Sequence, residues 1–118
     1  TEKIGKNGAM QFTSYGLDLH NHAHKEAVGV FEKMSKRKVI DNVFVHASSK
    51  KEWDKFGTKV GLSDKIHHVY PETGNVVSAS IPVAMSDAIK QGKLSRKNSV
   101  VFWVGSAGMS FSATRFRY

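Results

Sequence analysis

The 118-residue sequence contains no cysteine. The chain can therefore form no disulfide, bind no metal through thiolates and supply no thiol nucleophile of its own. No apolar run approaches the roughly 20 residues that a membrane-spanning helix needs, and no apolar region follows the charges at the start, so we expect neither a membrane span nor a signal peptide. The chain begins at Thr1 without a Met, which is compatible with a processed piece of a longer protein.

Acidic residues are scarce as well. The 10 Asp and Glu residues face 18 Lys and Arg residues, which gives a formal net charge of +8 at pH 7 and a pI of about 9.8. This excess favours an acidic partner, such as an acidic carrier protein, a phosphorylated cofactor or nucleic acid. A solvated charged surface is the commoner explanation and accounts for most of the lysines. The basic cluster Lys33–Lys38 has no stacking aromatics or known motif beside it, so we expect no nucleic-acid partner.

Alternating strand-like and helix-like segments predict a single α/β domain of order β-α-β-α-β-α-β-β. Three crossover helices predict a five-stranded, mostly parallel sheet covered by helices on both faces, with a hairpin that adds an antiparallel last strand. Helices are expected at Asn21–Met34, Ser49–Val60 and from Val77 to Gly92. Strands are expected at Met10–Leu19, Asn42–His46, Lys65–Tyr70, Asn98–Val104 and Phe111–Tyr118.

The predicted helix Ser49–Val60 has the clearest end signals. Ser48 or Ser49 is placed to cap its start, and Gly61 is placed to end it. Pro82 is tolerated only near a helix start, so it belongs in the first turn of the helix predicted after Gly74-Asn75. The apolar face of the helix Ser49–Val60 carries Trp53, Phe56 and Val60.

His46 and Asn75 have the side chains best suited to chemistry. Each follows a short apolar strand, and parallel strands end at one edge of a sheet, where open α/β sheets bind their ligands. A neutral imidazole and an amide both donate hydrogen bonds to a carbonyl oxygen that gains negative charge. The small-residue turn Gly105–Gly108 lets backbone N–H groups approach a ligand closely. On spacing alone, a structural role for His46 stays open.

Three segments resemble the β-ketoacyl-acyl carrier protein synthase III family of the thiolase fold. Gly74–Met85 is similar to the family's Gly-Asn-Thr-Ser-Ala-Ala-Ser-Ile-Pro stretch. Val43–His46 resembles the strand that ends in the histidine of its His-Gln-Ala-Asn motif, at a similar distance from Asn75. Val100–Met109 resembles its closing strand and glycine-rich turn. The resemblance covers nearly all of the chain and identifies it with the second of the family's two similar halves.

The resemblance implies a decarboxylative Claisen condensation. The family's reactive cysteine lies in the first half, which agrees with its absence here. His46 and Asn75 would hydrogen-bond the malonyl thioester carbonyl and stabilise the enolate. The N–H at Ala107, with Gly108 beside it, would help form the oxyanion hole for the acyl thioester. Lys51 falls where the family often has an arginine near the entrance for the phosphopantetheine arm.

The resemblance also implies partners and substrates. We expect no cofactor, with acyl-coenzyme A and malonyl-acyl carrier protein as substrates. The expected partners are an acyl carrier protein and a cysteine-bearing N-terminal half, with a homodimer for the full-length protein, no membrane, and a cytoplasmic location. The isolated chain should be inactive, because the acyl-accepting thiol is absent.

Two departures from the family pattern leave the function partly open. The histidine motif reads His46-Ala47-Ser48-Ser49, and Ser106 and Ala107 replace the usual glycines, which narrows the pocket and bears on substrate choice. A relative in secondary metabolism and an acyltransferase-like variant both remain possible. The alternative of another class is a non-catalytic basic α/β binding module for an acidic partner.

Two further groups of histidines could have roles of their own. His20, His22 and His24 suggest a metal site, but alternate residues share a face on a strand and not on a helix, and a helix is expected there. We therefore expect no metal site. His67 and His68 should point to opposite faces of a strand and have structural roles.

Overall fold

The computed structural model describes residues 16–35, 39–106 and 110–118, and the side chains of the first helix from Ala23 onward. The helices are α1 (Gly16–Ser35), α2 (Lys50–Val60), α3 (Tyr70–Thr73) and α4 (Ser80–Lys90), and 3₁₀ turns cover Ser63–Lys65 and Val77–Ala79. The strands are β1 (Asn42–Val45), β2 (Ile66–His67), β3 (Ser99–Ser106) and β4 (Ser110–Arg117).

The described strands form one four-stranded sheet of order β2-β1-β3-β4. β1 is parallel to both β2 and β3, and β4 pairs antiparallel with β3, so the predicted mostly parallel sheet with a final hairpin is confirmed. The predicted first strand, Met10–Leu19, is wrong for residues 16–19, which belong to α1. Extending an existing helix adds one hydrogen bond per residue, which outweighs a weak strand preference. Residues 10–15 lie outside the described residues.

Trp103 of β3 occupies the centre of the core on one face of the sheet and is fully buried. Its ring centroid lies 4.5 Å from that of Phe31 on α1 and 5.2 Å from that of Trp53 on α2. Its indole N–H donates to the carbonyl oxygen of Ala27 at 3.0 Å. One side chain thus packs both helices against the sheet.

The opposite face of the sheet is covered by α4. Ala84 and Ala88 are fully buried there and pack with Phe44 and Val100. Among the described helices, α4 alone contributes buried side chains to this second core, whereas α1 and α2 share the first. Helices therefore cover both faces, as predicted, but unequally.

The end signals of α2 were correctly predicted. The Ser49 side-chain oxygen accepts the backbone N–H of Glu52 at 3.4 Å, and Gly61 ends the helix at a φ of 71°, a conformation that glycine adopts without strain. The strand expected at Lys65–Tyr70 is wrong at both ends. Lys65 closes a 3₁₀ turn, and Tyr70 starts α3, where Pro71 suits the first turn of a helix.

The helix expected from Val77 begins three residues later. Val77–Ala79 form a 3₁₀ turn, and α4 starts at Ser80 with Pro82 in its first turn, as predicted. The Ser80 hydroxyl is buried and donates to the carbonyl oxygen of Val77 at 2.7 Å. This bond joins the start of α4 to the segment that carries Asn75.

Gly57 provides a test of the packing between α2 and the chain that leads into β2. An added Cβ would lie 2.6 Å from Ile66 Cδ1 and 2.9 Å from Ser63 Cα. We expect Gly57→Ala to destabilise the protein by about 1–3 kcal/mol despite the better helix propensity of alanine. The matched control is Gly29→Ala in α1, where nothing lies within 4 Å. It should be neutral or stabilising by up to about 1 kcal/mol in urea unfolding, and equal responses of the two variants would contradict the packing.

Candidate functional site

His46 lies directly after β1 and is half-buried. Its backbone N–H donates to the carbonyl oxygen of Trp103 at 3.3 Å, and its own carbonyl oxygen accepts the N–H of Ser48 at 2.8 Å. Burial removes water from the imidazolium and lowers the pKa of His46 below the ordinary value of 6.5. The ring is therefore neutral at pH 7 and retains one N–H donor.

The residues after His46 explain the departure from the family motif. Ala47 is 3% exposed and packs in the core beneath α4. The Ser48 hydroxyl oxygen accepts the indole N–H of Trp53 at 3.1 Å, and Ser49 caps α2. Serine and asparagine are about equally good caps, so the serine at the fourth position of the motif is well suited to start this helix.

Asn75 is exposed and follows Gly74, whose φ of 66° suits glycine. Its Oδ1 accepts the backbone N–H of Val77 at 2.9 Å. A backbone N–H can only donate, so the bonded atom is the oxygen and the orientation of the amide is determined. Asn75 Nδ2 has no hydrogen-bond partner among the described residues. It remains available as a donor.

Val77 has an unusual backbone conformation next to Asn75. Its φ is 48°, in the left-handed region where a β-branched residue is an outlier that costs about 1–3 kcal/mol. The side chain is 65% exposed, so its own burial contributes little to offset that cost. The Val77 N–H donates to Asn75 Oδ1, the Val77 carbonyl oxygen accepts the Ser80 hydroxyl, and these two bonds hold the turn in place. The sequence gives no sign of this strained conformation, because valine ordinarily avoids a positive φ and so would not be expected at such a position.

The topology places the candidate groups at one edge of the sheet. β1, β2 and β3 are parallel, so the segments that leave their carboxyl ends start at the same edge. His46 follows β1 at once, but Asn75 does not follow β2 as directly as predicted, because residues 68–74, including α3, intervene. Ala107 and Gly108, predicted to bind substrate after β3, lie outside the described residues, and their assignment stays a prediction.

An open groove rich in lysine runs between α1 and α2 and includes Lys51. Lys50 Nζ lies 2.6 Å from Asp54 Oδ2, and Lys55 Nζ lies 2.8 Å from Glu52 Oε1. Lys51 is exposed and has no carboxylate partner in the part of the chain that the structure describes. A cation in the first turn of a helix opposes the helix dipole, so Lys51 raises the positive potential there. The groove is lined by His24, Lys50, Lys51, Asp54, Lys55, Thr58 and Lys59.

His67 and His68 point to opposite faces, as predicted. His67 Nε2 lies 2.7 Å from Asp87 Oδ2 on α4, and His68 Nε2 lies 2.8 Å from Asp54 Oδ1 on α2. The first contact lowers the pKa of Asp87. Sequence reasoning missed the second contact, because nothing local joins two residues on different elements.

The described residues contain neither a cluster of metal-binding side chains nor a membrane-spanning helix. Within 23–35, 39–106 and 110–118, no three His, Asp or Glu side chains are grouped to hold a metal ion. No helix of these ranges or of residues 16–22 is long and apolar enough to cross a membrane. The side chains of His20 and His22 lie outside the described residues, and His24 lines the basic groove.

Solved structures of condensing enzymes share this fold. 3-Oxoacyl-(acyl carrier protein) synthase III, FabH, from Pseudomonas aeruginosa superimposes with a TM-score of 0.83 and 19% identity over 91% of this chain and 36% of that one. The synthase III from Aquifex aeolicus gives a TM-score of 0.83 and 22% identity over 90% of this chain and 36% of that one. The chain therefore has a thiolase-like α/β fold.

The family itself is shown by the sequence. The family model described as 3-oxoacyl-[acyl-carrier-protein (ACP)] synthase III C terminal matches residues 32–118, so the chain belongs to this family. Relatives named beta-ketoacyl-[acyl-carrier-protein] synthase III include one from Synechocystis sp., 27% identical over 99% of this chain, and one from Oceanobacillus iheyensis, 29% identical over 98%. The chain spans 38% and 42% of the lengths of these two relatives.

The lowered pKa of His46 predicts a pH dependence of stability. In the unfolded chain the imidazole titrates near 6.5, whereas in the folded protein its pKa is lower. Below about pH 6.5 the unfolded state therefore binds more protons, and the free energy of unfolding falls as pH drops, by at most about 1.4 kcal/mol per pH unit for one group. His46→Gln, which cannot titrate, should show a shallower loss between pH 6.5 and 5 in urea unfolding. Above pH 7.5 the two proteins should have equal slopes; equal slopes at both ends of the range would contradict the burial of the ring.

Proposed function

We propose that this chain is the C-terminal half of a 3-oxoacyl-[acyl-carrier-protein] synthase III-like enzyme, in which His46 and Asn75 support decarboxylation of a malonyl thioester. The observation that carries the proposal is the state of the Asn75 amide, whose oxygen is occupied by Val77 and whose Nδ2 remains available to a ligand. Family membership and the neutral ring of His46 support it.

The chemistry needs donors at a carbonyl oxygen and no nucleophile from this chain. Loss of CO₂ breaks the carbon–carbon bond of the malonyl group, and the electron pair moves into an enolate whose oxygen carries negative charge. Hydrogen bonds from His46 and Asn75 Nδ2 stabilise that charge more than they stabilise the neutral carbonyl. The enolate carbon then attacks an acyl thioester on a cysteine of the other half, and the thiolate leaves.

Lys51 is proposed as an entrance residue for the phosphopantetheine arm of an acyl carrier protein. Its charge is not neutralised by a described carboxylate, and it lies at the first turn of α2, where the helix dipole already attracts anions. Lys50 is different, because Asp54 neutralises it. An acidic carrier would be attracted by this rim of the groove.

The unequal helix cover indicates where the missing half would pack. On the face covered by α4, Thr114 and Ser112 of β4 are exposed, although they lie opposite Phe102 and Val104 in the sheet. Ile89 of α4 is 46% exposed on the same layer. We expect a cysteine-bearing N-terminal half to cover this surface.

Substitutions of Asn75 can distinguish the proposed catalytic role of its Nδ2 from the structural role of its Oδ1. Asn75→Asp keeps an oxygen for the Val77 N–H but removes the Nδ2 donor, so malonyl decarboxylation by the enzyme with both halves should fall by about 100-fold or more. His46→Ala and Asn75→Ala should each abolish it. Ser78→Ala, at an exposed neighbouring position, is the control and should keep the parental rate of CO₂ release from malonyl-acyl carrier protein. A fully active Asn75→Asp variant would refute the assignment.

The isolated chain should be inactive in condensation and should self-associate through the surface left uncovered around α4. Light scattering over a wide concentration range measures this, and Ile89→Lys should reduce the association by placing a charge on the patch. A clean monomer at all concentrations would count against a missing half.

The non-catalytic binding module remains the second candidate, and the lysine-rich groove along α2 is the observation in its favour. Salt-sensitive binding of an acidic partner, without thioester chemistry in any assembly, would favour this candidate. The homodimer, the absence of a cofactor and the cytoplasmic location stay predictions.

A further inference from the structure

We infer that Asp54 and His68 form a positioning pair. The pair holds residues 69–77, here called the Asn75 segment, in place relative to the loop that begins at His46. This inference rests on the proposed function, because it assigns His46 and Asn75 to one reaction. Asp54 Oδ1 and His68 Nε2 are 2.8 Å apart, and the His68 side chain is only 11% exposed. Within the described chain, this is the sole side-chain hydrogen bond between α2 and residues 68–77.

On the α2 side, Asp54 is joined to His46 through a short rigid path. Asp54 follows Trp53, whose indole N–H donates to the Ser48 hydroxyl at 3.1 Å. The Ser48 N–H in turn donates to the carbonyl oxygen of His46 at 2.8 Å. These two hydrogen bonds connect the first turn of α2 to the loop after β1.

On the other side, His68 directly precedes the base of the Asn75 segment. The carbonyl oxygen of Val69 accepts two hydrogen bonds from Thr73, one from its backbone N–H at 3.0 Å and one from its side-chain hydroxyl at 2.9 Å. Gly74 N–H donates to Tyr70 at 2.9 Å, and the Asn75 side chain then bonds to Val77. Local hydrogen bonds thus fold residues 69–77, the chain that follows His68 directly, into the turns that carry Asn75.

The charges favour a neutral His68 bound to an ionised Asp54. Hydrogen bonds and charges from Lys50 and His68 outweigh partial burial and lower the pKa of Asp54. Burial lowers the pKa of His68, while Asp54 opposes this shift and Lys50 and His67 add to it. A carboxylate can only accept, so the proton of the neutral ring lies on Nε2. The pair is a directed hydrogen bond that does not depend on a positive charge on the ring.

The test uses the enzyme with both halves present and follows malonyl decarboxylation. Asp54→Ala breaks the bond and should lower kcat by about 10- to 100-fold, the size expected for a displaced catalytic group, with KM for malonyl-acyl carrier protein within about threefold. Asp54→Asn keeps an oxygen that can accept from His68 and should restore most of kcat. Asp64→Ala removes the same charge from an exposed site and should leave kcat unchanged.

A second variant keeps the inference testable if Asp54→Ala does not fold. His68→Phe keeps a ring of similar shape without the N–H and should lower kcat by a similar factor. Combining it with an alteration of Asp54 should cause little further loss, because both remove the same bond. In each variant that breaks the bond, hydrogen exchange of the Val77 amide should be faster by about tenfold or more, since loosening the segment exposes that N–H.

Two results would overturn the inference. One is a folded Asp54→Ala or His68→Phe variant with kcat within about threefold of the parent. The other is an Asp54→Asn variant as impaired as Asp54→Ala, which would assign the effect to the charge beside Lys50. Failure of the proposed function is distinguishable: His46→Ala and Asn75→Ala would then keep the parental decarboxylation rate, while Val77 exchange would still report whether the pair holds the segment.

Discussion

The buried indole of Trp103 is the contact on which both the layered fold and the site depend. Its ring packs against Phe31 and Trp53, and its N–H satisfies a carbonyl oxygen of α1. Its backbone carbonyl oxygen accepts the N–H of His46. Trp103 therefore packs against two helices and fixes the backbone position of His46, the residue that follows β1.

The site offers hydrogen-bond donors, and among the described residues no three His, Asp or Glu side chains are grouped to hold a metal ion. His46 owes its neutral state to burial, and Asn75 owes its available Nδ2 to the bond between its oxygen and Val77. In the proposed reaction, both properties would stabilise an oxygen that gains negative charge. The chain contains no cysteine and is about two fifths as long as the named relatives, so the proposed condensation requires an acyl-carrying cysteine from outside this sequence.

The two serines that differ from the family motif, Ser48 and Ser49, both make local hydrogen bonds. Ser49 starts α2 as an asparagine would, and Ser48 gives the buried indole of Trp53 an acceptor. These replacements keep the loop after His46 ordered with different side chains. The lysines that follow differ in state, since Lys50 is neutralised by Asp54 and Lys51 is not.

The sequence by itself determined the fold class and the ends of α2, and it predicted the roles proposed for His46 and Asn75. These features depend on local preferences, namely caps, turn glycines and the period of apolar residues, and a resemblance in short segments identified the family. Strand ends were less predictable, because Tyr70 begins a helical turn only where Pro71 and the packing of Val69 favour it.

Only the tertiary structure decided the state of each site group. The burial that keeps His46 neutral and the bond between Asp54 and His68 both require elements to be packed together first. Desolvation and hydrogen bonds between distant residues arise from that packing. They leave no pattern in the order of amino acids.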